Sequence, residues 1–356
     1  MTVKISRRGL TTLVGSGLAL SFAPHVGHAA TTEITVLNWK GYGTDEPTAL
    51  RAFAAATGIV VKHDYFNSEP EMLTKLQTNP GAYDVVLINS ARTQQAQSAE
   101  LIAPIDLAAL PNAKDLAPTL KNSPSLQAGG KTYGVSWVWG MNSLAVRDGK
   151  VVGADSFTIF LDPKYVGRLA LLDDTATAIG IGALLTSQSI NDPKDLPAIG
   201  AKLKAMKPNV KLLWSSEDEW NKAFAADAFD ISVYWSGAAV RSKVRHKLPV
   251  DFIIPKEGAI GWLDGLSMPV ASKKKDAALT FINFMIDPKF YLPWAAQAGA
   301  PASANQAAMA QLPDSDLSKQ IHKPEYLTKL QFMGPMPDER RQAFANLWEE
   351  VKASYA

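Results

Sequence analysis

From Ile34 onward the apolar positions fall in short blocks separated by helix-patterned stretches. "ITVLNW" (34–39) is β-branched and aromatic, the pattern of a buried strand. "TDEPTALRAFAAATG" follows, with Thr44 or Asp45 placed to cap a helix, Pro47 in its first turn, Leu50 and Phe53 on its apolar face and Gly58 past its end. "IVVKHDYF" predicts a second strand, "EPEMLTKLQT" a helix, "YDVVLIN" a third strand and "TQQAQSAELIAPI" another helix. Such alternation makes a mostly parallel sheet with helices on its faces. Ligands of open α/β sheets bind beyond the carboxyl ends of the strands. Trp39 and Asn89, which end the first and third strands, fall on that edge.

Further along, "GKTYGVSWVWGMNSLAVR" carries two extended runs around Gly140, a pattern suited to crossing between two lobes. The alternation then repeats. "RLALLDD", "VKLLW" and "DISVYW" read as strands, and "TATAIGIGALLTS", "DEWNKAFAAD" and "SGAAVRSKV" as helices. "DFIIPKEGAIGWLDGLSMPV" returns as strands. "KDAALTFINFMID" and "DERRQAFANLWEEVKAS" are helices whose apolar faces hold Phe281, Ile282 and Met285, and Phe344, Trp348 and Val351. The segment from Pro301 to Asp316 is expected to be a surface loop.

One residue breaks this pattern. "IGWLDGLSMPV" (260–270) is apolar almost throughout, yet Asp264 sits in its middle with Trp262 two residues before it. A carboxylate is costly to bury without a partner. It could belong to a structural ion pair, serve as a catalytic acid or base, or receive a cation that comes and goes.

Composition narrows the choice. The chain has 356 residues and no cysteine, which excludes disulfides, thiolate metal sites and a Cys nucleophile. Residues 1–30 follow the plan of a secretory signal peptide, with Lys4, Arg7 and Arg8 before a mildly apolar stretch and a small-residue end at Ala29–Ala30. The Arg7-Arg8 pair resembles a twin-arginine export signal. Without those three basic residues, 33 of the 36 basic residues remain against 34 acidic ones. A near-neutral surface argues against nucleic acid or an anionic membrane as the main partner. The remaining chain exceeds a single core, so two lobes are expected.

A search for catalytic motifs finds no G-x-S-x-G, H-E-x-x-H or P-loop. Gly180-Ile181-Gly182 suits helix packing better than a phosphate cradle. His63, His246 and His322 have no partner at metal-ligand spacing and are expected at the surface. No metal and no cofactor is expected. Asp173 and Asp174 are adjacent on a strand end and so point to opposite faces. Trp39, Trp235 and Trp262, with Asp174 and Asp264, all fall at or near strand ends. Aromatic faces attract a cation and cover its apolar stem, and carboxylates take its ammonium protons. The competing account is that each Trp is a core residue and each Asp is capped by nearby amides.

At this point the chain resembles the periplasmic spermidine/putrescine-binding proteins of ABC importers. "VLNWKGY" is similar to the family's opening strand, and "GAYDVVLIN" to its third strand with the serine-bearing end, here Asn89 and Ser90. "YVGRLALLDD", "DISVYWSGAAV", "PKEGAIGWLDGLSMP" and "LTFINFMIDP" match further segments in order. The resemblance implies an α/β periplasmic-binding-protein fold of two lobes with a ligand cleft between them. The lobes would comprise 31–137 plus 263–305 and 138–262 plus 306–356. It implies a soluble, periplasmic monomer that needs no cofactor, closes on a small amine and is read by membrane permease subunits. Trp39 and Tyr42 would flank the ligand stem, Asp174 would bind an amine, and Trp235 would form an aromatic wall. Trp262 and Asp264 would hold an ammonium, and Gln331 would add a polar contact.

Four positions depart from the family pattern. Lys40 stands for a small hydroxyl residue, Arg92 lies near a tyrosine position, Thr177 replaces a glutamate and Ala300 a tyrosine. These departures suggest a ligand cationic at one end only, with an opine-like or amino-acid-like carboxylate paired to Lys40 or Arg92. A short diamine remains the plainer reading, and a thiamine-like ligand also fits the lining. A ferric-ion binder would be expected to show neighbouring tyrosines, and no Tyr-Tyr pair occurs. An exported α/β enzyme is the other class, but it lacks an acid/base pair or nucleophile in this sequence. On the zwitterion reading, Lys40→Ala weakens every carboxylate-bearing ligand and spares plain amines; titration calorimetry with both kinds decides it.

Overall fold

The computed structural model describes residues Thr32–Tyr355. The expected signal peptide, 1–30, lies outside the described residues. The main elements are β1 (Thr32–Asn38), α1 (Pro47–Thr57), β2 (Ile59–Tyr65), α2 (Glu69–Thr78), β3 (Val85–Asn89), α3 (Ser90–Ser98), β4 (Val135–Arg147), β5 (Leu169–Leu172), α4 (Thr175–Leu185), β6 (Val210–Trp214), α5 (Glu217–Ala225), β7 (Ile231–Trp235), α6 (Ser236–Val244), β8 (Val250–Ile253), β9 (Ala259–Pro269), α7 (Lys275–Met285), β10 (Leu330–Phe332) and α8 (Asp338–Tyr355).

The sheet runs in the order β2-β1-β3-β9-β4-β7-β5-β6. Each flank is parallel: β1 pairs with β2 and β3, and β5 pairs with β7 and β6. Between the flanks lie two long antiparallel strands, β4 and β9. All thirteen residues of β4 are buried, so it reads as a continuous apolar run rather than as two strands around Gly140. Two hydrophobic cores meet along these strands. Val135, Val138, Trp139 and Met141 belong to the first, and Leu144, Ala145 and Val146 to the second.

The local chemistry explains the element ends. Ser68 caps α2, its hydroxyl accepting from the Glu71 N–H at 3.2 Å, while Glu71 reaches back to the Asn67 N–H at 2.9 Å. The cap of α1 is Glu46, not Thr44 or Asp45. Thr44 accepts instead from the Asn38 amide at 2.7 Å, and Asp45 accepts from the Gly41 N–H at 2.8 Å, so both fix the loop after β1. Gly58 ends α1 at φ 71°, where its N–H returns to the Ala54 carbonyl. Gly180 and Gly182 let α4 approach its neighbours: a Cβ there would lie 2.7 Å from Ile260 and 2.6 Å from Ile199.

The C-terminal part packs differently from the expected allocation. Ala308, Leu312, Ile321 and Leu327 join the first core, while Phe344, Trp348 and Val351 of α8 join the second, with Met333, Met336, Leu347 and Tyr355 packed against it. Pro301–Asn305 is buried rather than a surface loop, because Ala302–Ser303 adds to β4 and Asn305 caps the helix Gln306–Gln311.

Gly140, on β4 opposite Trp262, marks the tightest crossing. A Cβ there would lie 2.7 Å from Trp262 Cε2 and 2.9 Å from Ser236 Oγ. Gly140→Ala therefore lowers stability by about 1–3 kcal/mol through overpacking and displaces the Trp262 ring. Denaturant unfolding and tryptophan fluorescence check both effects.

Candidate functional site

The loop that follows β1 and the carboxyl end of β3 converge on Asp264 in β9. Asp264 is 7% exposed. The Tyr42 hydroxyl donates to its Oδ2 at 2.9 Å, and the Asn89 amide donates to its Oδ1 at 2.8 Å. Asn89 lies directly across from it in the strand register. Asn89 is itself fixed, since its Oδ1 accepts from the Ala91 N–H and caps α3. Tyr42 is wedged edge-on against Trp137 and Trp294, with centroids 5.8 and 6.5 Å away.

Both partners of Asp264 are neutral, and no cationic side chain pairs with it among the described residues. Arg241, whose charge acts on Tyr42, is held by Glu217 at 2.9 Å. Burial therefore pushes Asp264 up to about 6, and the two donors only partly offset this. Burial and the neighbouring carboxylate raise the Tyr42 phenol further.

The aromatic residues frame this carboxylate. Trp39 follows β1 and packs against Phe66 at 4.4 Å. Trp262 lies two residues from Asp264 on the same strand, hence on the same face. Trp235 ends β7 opposite Asn142, and Ile260 faces the same Asn142 from the other side, whereas Trp262 pairs with Gly140 two residues along β4. Trp235 leans edge-on to Trp214 at 4.9 Å.

Other expected residues have different surroundings. Asp174 is exposed and caps α4. Its Oδ1 accepts from the Thr177 N–H at 2.8 Å and hydroxyl at 2.6 Å, and the Asn142 amide donates to that hydroxyl at 2.7 Å. Asp173 points away, accepting from the Trp348 indole at 2.8 Å. The Ser90 hydroxyl donates to the Met333 carbonyl at 3.2 Å, and Gln331 Oε1 accepts from the Ile190 N–H at 3.0 Å. Lys40 is exposed and has no ion-pair partner among the described residues. Arg92 is committed to Glu69, at 3.3 Å.

Glu69 was not singled out by the pattern. It stands beside Glu71 at the start of a helix, where acidic residues are ordinary. Burial and then the Asp264 charge push it up to about 7, against the opposing pull of Arg92 and Arg341. His322 corrects an expectation of exposure. It is buried, its Nε2 lies 2.8 Å from the Ser236 hydroxyl and its Nδ1 2.8 Å from the Ser318 carbonyl, and burial lowers it to about 4. His63 is half-buried and lowered by burial, and His246 is exposed as expected. Among the described residues no group of three His, Asp or Glu side chains could hold a metal ion, and no helix is long and apolar enough to cross a membrane.

The arrangement is a buried carboxylate with two neutral donors at the carboxyl end of the parallel strands. Comparison with known proteins gives the family. The family model of bacterial extracellular solute-binding proteins matches residues 48–323. The chain belongs to that family. It is 31% identical over 257 residues to the spermidine/putrescine-binding periplasmic protein of Escherichia coli K12, covering 70% of this chain and 72% of that one. It is 24% identical over 363 residues to a putrescine-binding periplasmic protein of Pseudomonas aeruginosa, covering 96% and 98%. Its fold matches a spermidine/putrescine ABC transporter substrate-binding protein of Streptococcus pneumoniae with a TM-score of 0.82 at 22% identity, over 91% of this chain and 100% of that one. The two-lobed α/β fold expected from the sequence is therefore the fold of this family.

The raised Asp264 value carries a stability consequence. The unfolded carboxyl titrates near 3.8, so the folded state holds its proton more tightly; that advantage is present at low pH and is lost as pH rises through about 6. Ionised Asp264 thus costs the empty protein up to about 3 kcal/mol. Asp264→Asn removes this cost but leaves one of two donors without an acceptor, at about 1 kcal/mol. Denaturant unfolding of the ligand-free variant is expected to show a gain of about 1–2 kcal/mol at pH 8 that shrinks toward zero at pH 4, where the folded wild-type carboxyl is protonated.

Proposed function

We propose that this protein is the ligand-capturing component of an ABC importer, working in the periplasm, and that its ligand is a small aliphatic amine of the putrescine or spermidine kind. The observation that carries this reading is Asp264, a buried carboxylate held by two neutral donors and lacking a cation. A ligand ammonium supplies the missing charge. Trp39 and Tyr42 from one lobe, and Trp235 and Trp262 at the crossing, cover its methylene stem at roughly 0.5–2 kcal/mol per cation–aromatic contact.

Capture follows from the two-core architecture. A ligand that touches both lobes only when they are closed stabilises the closed state by its differential affinity. The permease would read that closed shape. The lobes we assign follow the two cores, with β4 and β9 as the hinge. The protein is proposed to act as a monomer without turning its ligand over.

Lys40 favours a second reading. It is exposed, unpaired and adjacent to Trp39, so a zwitterion could place its ammonium on Asp264 and its carboxylate on Lys40. The alternative partner, Arg92, is already neutralised by Glu69.

Isothermal titration of the ligand-stripped mature protein with putrescine, spermidine, thiamine and amino-acid-like zwitterions tests the reading. A di- or triamine is expected to bind, and Asp264→Asn is expected to weaken it at least about thirtyfold, since unpairing a buried charge costs 2–5 kcal/mol. Binding confined to zwitterions transfers the site to the second reading, and silence toward every amine overturns both.

A further inference from the structure

The start of α2 and the first turn of α3 bring a second carboxylate, Glu69, to the same edge of the sheet, where the Asp264 charge acts on it. Phe66, directly after β2, packs on Trp39 at 4.4 Å, and Glu69 follows it by three residues. Asn89 touches Asp264, and Arg92, one helical turn later, lies 3.3 Å from Glu69 Oε2. Glu69 is thus tied on one side to the loop under Trp39 and on the other to the helix that Asn89 caps. A quarter of its side chain remains exposed. Oε2 faces Arg92 at 3.3 Å.

The surrounding charges do not close this site. Arg92 Nη1 is spent on Gln95 at 3.1 Å. Arg341, from α8 of the second lobe, donates to Asp338 at 2.9 Å and to the Met336 carbonyl at 2.8 Å, yet its charge still acts on both Glu69 and Arg92. The Asp264 charge in turn opposes ionisation of Glu69. Two carboxylates therefore share the first-lobe edge of the cleft with a single direct guanidinium partner between them.

We propose that Glu69 is the second amine receptor of the cleft, so that a ligand bearing two ammonium groups spans Asp264 and Glu69. This rests on the amine reading above and deepens it. Glu69 then decides between diamines and monoamines, the role left open where Thr177 replaces the family's glutamate. Because Glu69 titrates near 7, a second ammonium drives off its proton, on the order of half a proton per ligand at pH 7.

The test titrates the mature protein with butane-1,4-diamine and butan-1-amine, each in two buffers of different ionisation enthalpy, which yields the proton count. Glu69→Gln is expected to weaken the diamine at least tenfold, to change the monoamine less than twofold and to remove the proton release. The double variant Glu69→Gln/Arg92→Gln separates lost attraction from an unmasked arginine: it is expected to stay weak for the diamine. An unchanged ratio of diamine to monoamine affinity in Glu69→Gln overturns the proposal and leaves the pair with Arg92 structural. Recovery of diamine affinity in the double variant also overturns it. Wild-type protein that binds neither amine sinks the amine reading itself, and this inference with it.

Discussion

The arrangement turns on one buried charge. Asp264 sits on a strand shared by both lobes, 7% exposed, and its two donors are neutral. Neutral donors orient a carboxylate and satisfy its lone pairs, but they do not restore the hydration it loses. The upward shift to about 6 expresses that deficit. An ion pair within the protein would have removed it and closed the site. On the amine reading proposed above, keeping the deficit open would trade stability of the empty protein for attraction to a cation, a common exchange at binding sites.

The crossing strands make that exchange geometrically possible. β9 carries Trp262 and Asp264 on one face, and β4 supplies a glycine under the indole. Ser236, which opens α6 directly after Trp235, accepts from the Met141 N–H at 3.2 Å and meets buried His322 from the first core. The two second-lobe tryptophans are therefore seated against backbone of the hinge strand, not on mobile loops.

Much of this was legible in the chain. The βαβαβ alternation put Trp39 and Asn89 at one edge, whereas Trp262 and Asp264, expected at or near a strand end, lie within β9, which runs on to Pro269. The apolar setting of Asp264 marked it as anomalous, which the hydrogen bonds explain. Asp174 was legible as a strand-end carboxylate, but its neighbour three residues on, Thr177, is also the ordinary partner of a helix cap, and the structure has it so. Glu69 was hidden because Ser68-Glu69-Pro70-Glu71 is an unremarkable helix start. Its pairing with Arg92 spans two loops that only the tertiary fold brings together. His322 was hidden for the opposite reason, since a lone histidine carries no periodicity that separates a buried one from an exposed one. The segment 306–329 was assigned by chain order, whereas its apolar side chains follow the nearest unfilled core.

The contrast between Asp174, which follows a strand and caps α4, and Asp264, in the middle of β9, shows why two carboxylates contribute unequally. Asp174 is exposed, its Oδ1 is already engaged by the Thr177 N–H and hydroxyl, and an ammonium arriving there competes with water and a helix end. Contacts of that kind are worth about 0–1 kcal/mol. Asp264 has lost its water already, so each increment of positive charge brought to it acts in a weakly screened environment. On the amine reading proposed above, affinity for a cation would therefore be concentrated at the desolvated charge of Asp264. Trp235 and Trp262 would then contribute chiefly surface, and surface selects for the length and apolarity of what joins the charges rather than for the charges themselves.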